Sequence, residues 1–296
     1  MIGRRERVAG TVALVLGIAG AAAVLRASEI RHPPQPSTAR LLYLRSGETA
    51  RRLTLSFDAV AADLYWIRAI QHYGRDKKSD RTTGRFELLE PLLDLTTTLD
   101  PHFNVAYRFG AVFLSITPPQ GPGRWDRAIA LLEKGLKHNP NRWQFAHDIG
   151  FVHYFYTRDY QEAARWFERA AAMPHAPGWL SSLAATTSLK GGDLASAETI
   201  FSELAQAQES YLQQAAQRGL AQVAAIRAIQ ELEGLIDRFN RNHGRYPFSW
   251  DDVIRAGLLP GLPADSTGAP FVYDAATHRV TLSPASPLGP LPELTR

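Results

Sequence analysis

The sequence of 296 residues contains no cysteine. Disulfide bonds, thiolate nucleophiles and cysteine-ligated zinc are therefore excluded, and the absence fits an oxidising or a reducing compartment equally. Hydrophobic residues make up 45% of the chain and aromatic residues 10%. This is enough apolar material for a sizeable buried core, so the composition indicates one large or two modest folded domains and not a disordered chain.

The chain also lacks the distribution of positive charge that nucleic-acid binding requires. Its formal net charge is +4, but residues 1–60 hold nine arginines against four acidic residues, a net charge of +5. Residues 61–296 therefore carry about −1. A nucleic-acid-binding domain needs clustered cations on its folded face. No nucleic-acid partner is predicted.

Motifs of common catalytic and cofactor sites are absent as well. The sequence has no glycine-rich phosphate loop, no Gly-x-Ser-x-Gly elbow and no His-Glu-x-x-His helix. His147 and His153 are six residues apart and would fall on different faces of a helix, which does not suit a metal clip. Carboxylates such as Asp58 and Asp63 fit solvated surface positions. We therefore predict that the protein is not an enzyme and has no catalytic, metal or cofactor site.

An uncharged, apolar stretch lies near the N-terminus. It covers residues 8–25, follows a basic head at residues 1–7 and ends at Arg26. A helix of that length spans about 27 Å, close to the thickness of a bilayer core. Residues 1–26 are therefore predicted to be an export signal that stays as a single-pass anchor in the cytoplasmic membrane, with the bulk of the chain on the exoplasmic or periplasmic side. Cleavage after Ala23, which would release a secreted protein, is the alternative.

Composition divides the rest of the chain into four segments. Residues 27–56 are predicted to be a linker, because their proline-rich part cannot continue a helix. Residues 57–208 repeat with a period of about 34–40 residues, which is typical of stacked helical hairpins. A long amphipathic helix over residues 209–243 is predicted to cap that stack. Residues 244–296 are predicted to form a small module with a short helix and a two-stranded hairpin.

Each clear repeat places a small residue four positions before a large apolar one. This pattern recurs at Ala128 and Leu132, Ala163 and Phe167, and Ala197 and Phe201. The preceding helices carry a matching apolar-plus-small pair at Phe109 and Gly110, Ile149 and Gly150, and Leu183 and Ala184. One repeat has an extra residue before Asp159. Small residues at these positions allow two helices to approach closely, and the large ones fill the space between hairpins.

This pattern resembles that of the tetratricopeptide-repeat (TPR) family. The resemblance implies three repeats and one degenerate repeat, and a role in binding other proteins. The predicted fold class is thus all-α: a TPR-like helical-hairpin solenoid with an N-terminal membrane helix and a small C-terminal α+β hairpin module.

The C-terminal segment has a resemblance of its own. It runs from a helix through Gly244-Arg-Tyr-Pro247 to a stretch that begins at Pro263 and ends at Tyr273. These turn residues resemble the globular end of type II secretion pseudopilins. The N-terminus lacks the Phe-Thr-Leu-x-Glu processing motif of that family, so the resemblance implies a shared hairpin module and not a shared function.

The first helices of the repeats are expected to line a concave groove that binds a peptide or a helix of another protein. The repeat register predicts the exposed residues of this groove as Asn104, Tyr107, Gln144, His147, Phe151, Tyr154, Trp179, Ser182, Thr186 and Lys190.

These features together favour a non-catalytic, membrane-tethered scaffold that mediates protein–protein interaction in an envelope assembly such as a secretion or pilus system. Its contact with the membrane would be through residues 8–25. A soluble secreted or periplasmic protein that binds peptides or glycans is the alternative.

Overall fold

Most of the chain that the structure describes is helical. The computed structural model describes residues 17, 47–54, 56–80 and 83–292. No helix within these ranges is both long enough and apolar enough to cross a membrane. The predicted anchor at residues 8–25 lies outside these ranges apart from Gly17, so it stays a prediction.

The described ranges contain a succession of helices followed by one short sheet. A π-helical turn, His153–Thr157, continues helix α6 (Trp143–Val152). Two strands, β1 (Val272–Asp274) and β2 (Arg279–Thr281), pair in antiparallel fashion with Val272 opposite Thr281. The helices are α1 (Gly47–Leu53), α2 (Asp58–Lys77), α3 (Leu89–Leu99), α4 (Asn104–Ser115), α5 (Trp125–His138), α6 (Trp143–Val152), α7 (Tyr160–Ala171), α8 (Trp179–Lys190), α9 (Leu194–Leu204), α10 (Ser210–His243) and α11 (Trp250–Arg255).

Helices α2 to α9 pack mainly on their neighbours in sequence. The pairs α2–α3, α4–α5, α6–α7 and α8–α9 form four consecutive hairpins. Further contacts join α4 to α6 and α3 to α5, and so connect one hairpin to the next. The core is built by stacking each hairpin on the one before it, because a single hairpin cannot bury its own apolar face.

Close approach between helices occurs where the sequence predicts small residues. Ala128, Ala163 and Ala197 are fully buried. A Cβ atom added to Gly150 would lie 2.7 Å from the Phe167 ring, and one added to Gly110 would lie 2.8 Å from Leu93. Both distances are shorter than ordinary carbon–carbon contacts, so a larger residue at either position would require the neighbouring side chain to shift.

Aspartates begin two of the second helices. The Asp159 carboxylate accepts a hydrogen bond from the backbone N–H of Glu162 at 3.0 Å, and that of Asp193 accepts one from Ser196 at 3.0 Å. The backbone hydrogen bond from Ser196 lowers the pKa of Asp193. Such caps satisfy N–H groups that the first helical turn leaves without a partner, and they fix where α7 and α9 begin.

The extra residue in the third hairpin is accommodated as a π-helical turn. The α6 helix continues through His153–Thr157 with this wider geometry and ends at Arg158, which has a left-handed backbone with φ of 57°. A π-turn is the usual way in which a helix absorbs one additional residue. The repeat register therefore shifts by one residue before α7 begins at Tyr160.

Helix α10 packs on α8 and α9 with its first half and on the C-terminal module with its second half. In that module the Trp250 indole N–H donates to the carbonyl of Phe271 at 2.9 Å. Both residues are buried with Val280 and Ile236 in one apolar cluster. The short hairpin is thus stabilised by packing on α10, since two strands alone are marginal in water.

Two elements differ from the sequence-based expectation. Helix α1 lies within the segment predicted as a linker, and Ala50 is fully buried against the core. The linker prediction rests on the proline-rich part of this segment, which precedes the helix. Helix α2 extends to Lys77, whereas the sequence predicts a loop over residues 74–84. The half-buried Gly74 is tolerated within the helix at a modest free-energy cost.

A buried histidine joins α2 to the segment before α3. The His72 Nε2 atom accepts a hydrogen bond from the backbone N–H of Leu88 at 3.3 Å, and the Asp76 carboxylate accepts one from Phe86 at 2.6 Å. Burial lowers the pKa of His72 below its ordinary value of 6.5, with Asp76 opposing and Arg75 reinforcing the effect. The neutral ring is required, because a protonated Nε2 could not accept the Leu88 hydrogen bond.

The glycine contact generates a first prediction. Gly150→Ala should lower the free energy of unfolding by about 1–3 kcal/mol, because the new methyl group collides with Phe167. Gly234→Ala is the matched control: Gly234 is an exposed helical glycine in α10, and its added Cβ would meet no atom within 4 Å. That change should stabilise by about 0.5–1 kcal/mol. Urea unfolding measures both, and equal effects would contradict this account of the helix contact.

The buried histidine generates a second prediction. The free energy of unfolding should decrease as the pH falls below 6.5, the ordinary pKa of histidine. Below that pH the unfolded chain takes up a proton on His72 while the folded chain does not, whereas above it both forms are neutral. Urea unfolding between about pH 5 and pH 8 should give a smaller decrease for His72→Gln than for the wild type. Identical pH profiles would show that His72 does not contribute.

Candidate binding groove

Exposed apolar side chains are concentrated on the first helices of the hairpins. The described residues expose sixteen large hydrophobic side chains, and eleven of these lie on α2, α4, the α6 helix with its π-turn, or α8, or directly before α2. Exposed apolar side chains that adjoin one another on a folded protein commonly mark an interaction surface. The eleven are Phe57, Val60, Leu64, Ile67, Ile70, Val105, Phe109, Val112, Phe151, Phe155 and Trp179.

Helix α4 contributes Val105, Phe109 and Val112, which follow one another at i, i+4 and i+7 on its outer face. The predicted groove residue Tyr107 is not among them. It is fully buried, and its hydroxyl donates to the Thr97 carbonyl at 3.2 Å. Burial raises the pKa of Tyr107 to about 12. The prediction that Tyr107 is exposed is therefore wrong.

The rotation of α4 explains this difference. Gly110 faces Leu93 and Leu131, and a Cβ atom added to it would lie 2.8 Å and 3.0 Å from their side chains. Tyr107 precedes Gly110 by three residues and so lies on the same face of the helix. The opposite face then carries Phe109, which is 55% exposed.

Helix α6 and its π-turn contribute a row of stacked rings. The ring centroids of Phe151 and Phe155 are 4.2 Å apart, and those of His147 and Phe151 are 6.1 Å apart. His147 also contacts the rings of Phe167 and Trp179 at 5.6 Å and 5.7 Å. The row therefore runs without a break from α6 to α8.

Helix α8 carries Trp179 at its start and Lys190 at its end. The Trp179 ring packs edge-on against Trp143 at 6.0 Å and still keeps 42% of its surface exposed. The Lys190 ammonium donates to the Tyr154 hydroxyl at 3.3 Å and lies over the Tyr160 ring. The Tyr154 hydrogen bond raises the pKa of Lys190, so this end of α8 carries a fixed positive charge.

A pocket of about 320 Å³ lies between α4 and α6. At its edge, the Arg108 guanidinium donates to the Asp148 carboxylate at 2.5 Å and 3.0 Å. The same carboxylate contacts the His147 Nδ1 atom at 3.0 Å. The pocket is lined by Arg108, Phe109, Ala111, Val112, Ser115, His147, Asp148, Phe151, Val152 and Tyr156. The exposed apolar residues Val105, Phe109, Val112, Phe151, Phe155 and Trp179, together with this pocket, are called the groove.

The ten residues predicted for this surface fall into three classes. Phe151, Trp179 and Thr186 are exposed, and Tyr107 is buried. The half-buried ones are Asn104, Gln144, His147, Tyr154, Ser182 and Lys190. The predicted set lacks the exposed residues Val105, Phe109, Val112 and Phe155, although the apolar spacing of the first three on a helix indicates a second, outward apolar face.

The groove is not arranged as a metal centre. Among the described residues, no group of three or more histidine, aspartate or glutamate side chains could hold a metal ion. At the pocket, the Asp148 carboxylate is bonded to both Arg108 and His147.

Comparison with known proteins adds no relative. No family model matches the chain, and no curated protein or solved structure matches it.

The register of α4 generates a third prediction. Tyr107→Ala should lower the free energy of unfolding by about 3–5 kcal/mol, because it empties a fully buried site. Phe109→Ala, two residues away, should change it by less than about 1 kcal/mol, since that ring is more than half exposed. Chemical unfolding of both variants measures the difference. If Phe109→Ala proved as destabilising as Tyr107→Ala, α4 would be rotated differently from this description.

Proposed function

We propose that this chain is a non-catalytic scaffold of the tetratricopeptide-repeat type, which binds a helix of another protein in the groove. The observation that carries the proposal is the exposed apolar face shared by α4, α6 and α8. An interface of this kind recovers the hydrophobic contribution that exposed side chains do not make in the free protein.

The chemistry of the groove supports a weakly charged, apolar partner segment. Arg108 and Asp148 neutralise each other, and Phe109, Val112 and Phe151 surround them. A strongly charged segment would lose its hydration on this surface without gaining ionic partners. An amphipathic helix that presents apolar residues at i, i+3, i+4 and i+7 would meet successive rings of the groove.

The hairpin stack supports the repeat type. Four consecutive hairpins with small residues at their closest contacts, such as Gly110, Gly150 and Ala163, are what repeats of this family require. Each hairpin contributes its first helix to one surface, so the surface grows with the number of hairpins. This geometry supports a scaffold role.

We further propose that residues 8–25 hold this scaffold on a membrane, with the hairpins on the exoplasmic side. The support is the apolar stretch between the basic head and Arg26. The pseudopilin-like turns around Pro263 and Tyr273 favour an envelope assembly, such as a secretion or pilus system, as the place of action.

Photo-crosslinking in the cells that produce the protein tests this proposal. Benzoylphenylalanine is placed at Phe109 or Phe155 in the groove, and at Trp125 as a control. Trp125 is an aromatic residue that is 45% exposed on α5, outside the groove. The membranes are then washed, and crosslinked peptides are identified by mass spectrometry.

Phe109 and Phe155 should both capture the same protein in the washed membranes, through an apolar segment with helical spacing. Trp125 should not capture it. Equal capture from Trp125, or capture of a different protein from each groove position, would refute the binding proposal. If all of the protein were recovered in the wash, in a cleaved form that begins at Val24, the membrane tether would be refuted.

A further inference from the structure

We propose that the outer face of α2 lies on the surface of a lipid bilayer with anionic headgroups. The feature that carries this inference is a row of exposed apolar side chains along α2, with cationic side chains at both of its ends. The inference rests on the proposed membrane tether, because that tether would bring α2 to a bilayer.

The outer face of α2 is apolar. Val60, Leu64 and Ile67 recur at spacings of four and three residues, so they share one face of the helix. The opposite face, which includes Ala62 and Ala69, is buried in the hairpin stack. Five large apolar side chains, each at least 42% exposed, form what we call the α2 row: Phe57, Val60, Leu64, Ile67 and Ile70.

The position of α2 at the start of the hairpin stack leaves this row uncovered. Helix α2 packs on α3, and its Trp66 and Tyr73 rings stack on the Phe113 ring of α4 at 6.1 Å and 4.4 Å. None of these contacts reaches the α2 row, whose side chains stay exposed. The terminal repeats of a solenoid usually carry a polar outer face. An apolar face at this end therefore indicates that another surface covers it.

Cationic side chains lie at both ends of the α2 row. Arg51 and Arg52 are exposed in the last turn of α1, shortly before α2 begins. Arg75 and Lys78 are exposed at the other end, and they follow Leu64 by eleven and fourteen residues, which returns them to the same helix face. These four cations form no ion pair with another described residue. Their charge is therefore available to anionic groups outside the protein.

Only one of the three aspartates of α2 is exposed. Asp76 is buried, and Asp58 is half-buried and accepts a hydrogen bond from the Thr54 hydroxyl. The exposed one, Asp63, lies about 100° around the helix axis from Leu64, at the edge of the α2 row. The exposed charge around the row is thus predominantly positive.

This combination fits a bilayer better than a second copy of the chain. A helix with an apolar face and cations at its margins is typical of membrane interfaces, where the cations reach the headgroups and the apolar side chains reach the acyl region. Two α2 rows packed on each other would bring cations together in either orientation, because both ends of the row are positive. Helix α2 also follows the predicted anchor at residues 8–25 more closely in sequence than any other long helix of the described ranges.

Site-specific spin labelling tests the inference, because an introduced cysteine is the only one in the chain. Nitroxide labels are attached to full-length Leu64→Cys and Ile67→Cys. The matched control is Tyr211→Cys, since Tyr211 is an exposed apolar residue of α10, at the other end of the hairpin stack. Each protein is reconstituted in vesicles of phosphatidylcholine, with or without phosphatidylglycerol. Electron paramagnetic resonance then measures how strongly oxygen, which concentrates in lipid, and a water-soluble nickel chelate relax each label.

In the anionic vesicles, oxygen should relax the labels at Leu64 and Ile67 more strongly than the nickel chelate does. The reverse should hold at Tyr211. Stronger relaxation by nickel at Leu64 and Ile67 would overturn the inference, because the α2 row would then face water. Magnetic coupling between labels of two molecules would overturn it in favour of a second copy. Protection from both reagents without such coupling would overturn it in favour of a cover from the chain itself.

The role of the headgroups is tested by removing two cations. Arg75→Gln combined with Lys78→Gln should lower the ratio of lipid-exposed to water-exposed label at Leu64 by roughly an order of magnitude in the anionic vesicles, since each cation near an anionic surface favours contact by about a factor of five. It should have little effect in phosphatidylcholine alone. Lys137→Gln combined with Arg142→Gln, two exposed cations of the α5–α6 region, is the matched control and should leave the ratio unchanged. Equal effects of the first pair in both kinds of vesicle would overturn the preference for anionic lipid.

The proposed function can fail or stand separately. If the protein stays in washed membranes while the labels at Leu64 and Ile67 face water, only this inference fails. If the protein is released in a cleaved form but the same labels contact lipid when vesicles are added, the inference stands and the membrane tether fails.

Discussion

The rotation of each first helix depends on how closely it approaches its neighbours. A carbon atom added at Gly110 or Gly150 would overlap Leu93 or Phe167 unless that side chain shifted. Packed interiors have few voids and little tolerance for overlap, so only one rotation about the helix axis satisfies such a contact. The small residue then faces the neighbouring helix, and the side chains half a turn away face solvent. Packing at Gly110 and Gly150 thereby determines which side chains of α4 and α6 face solvent.

That surface is apolar as a consequence. On α4, Val112 lies opposite Gly110 and Phe109 lies about 100° around the helix axis from it, and on α6 the outward row includes Phe151. Burying one such side chain stabilises a protein by about 1.5–3 kcal/mol, and each exposed one leaves most of this contribution unused. A partner helix that covers the row would recover it. The contacts that build the hairpins and the surface that we propose for binding are therefore two results of the same helix rotation.

Much of the fold could be predicted from the sequence, because small and large residues recur at fixed spacing and caps and turns have local signatures. The predicted features include the two strands of the hairpin, the α11 helix and the burial of Ala128, Ala163 and Ala197. The site could be predicted less well. Tyr107 has both a ring and a hydroxyl, so its residue type suits a groove or a core equally. Its burial depends on the Thr97 carbonyl of the preceding helix, which accepts a hydrogen bond from the hydroxyl. The π-turn could not be predicted, because no residue type in His153–Thr157 indicates a change from α-helical to π-helical geometry. Its only sequence signal is the extra residue in that repeat.

An apolar groove by itself would accept many apolar segments, so selectivity has to come from its few polar groups. Arg108 and Asp148 are bonded to each other at the edge of the pocket, where they disfavour a charged segment without attracting one. The apolar row supplies the area that a partner can bury, and this neutralised pair limits which segments can cover it.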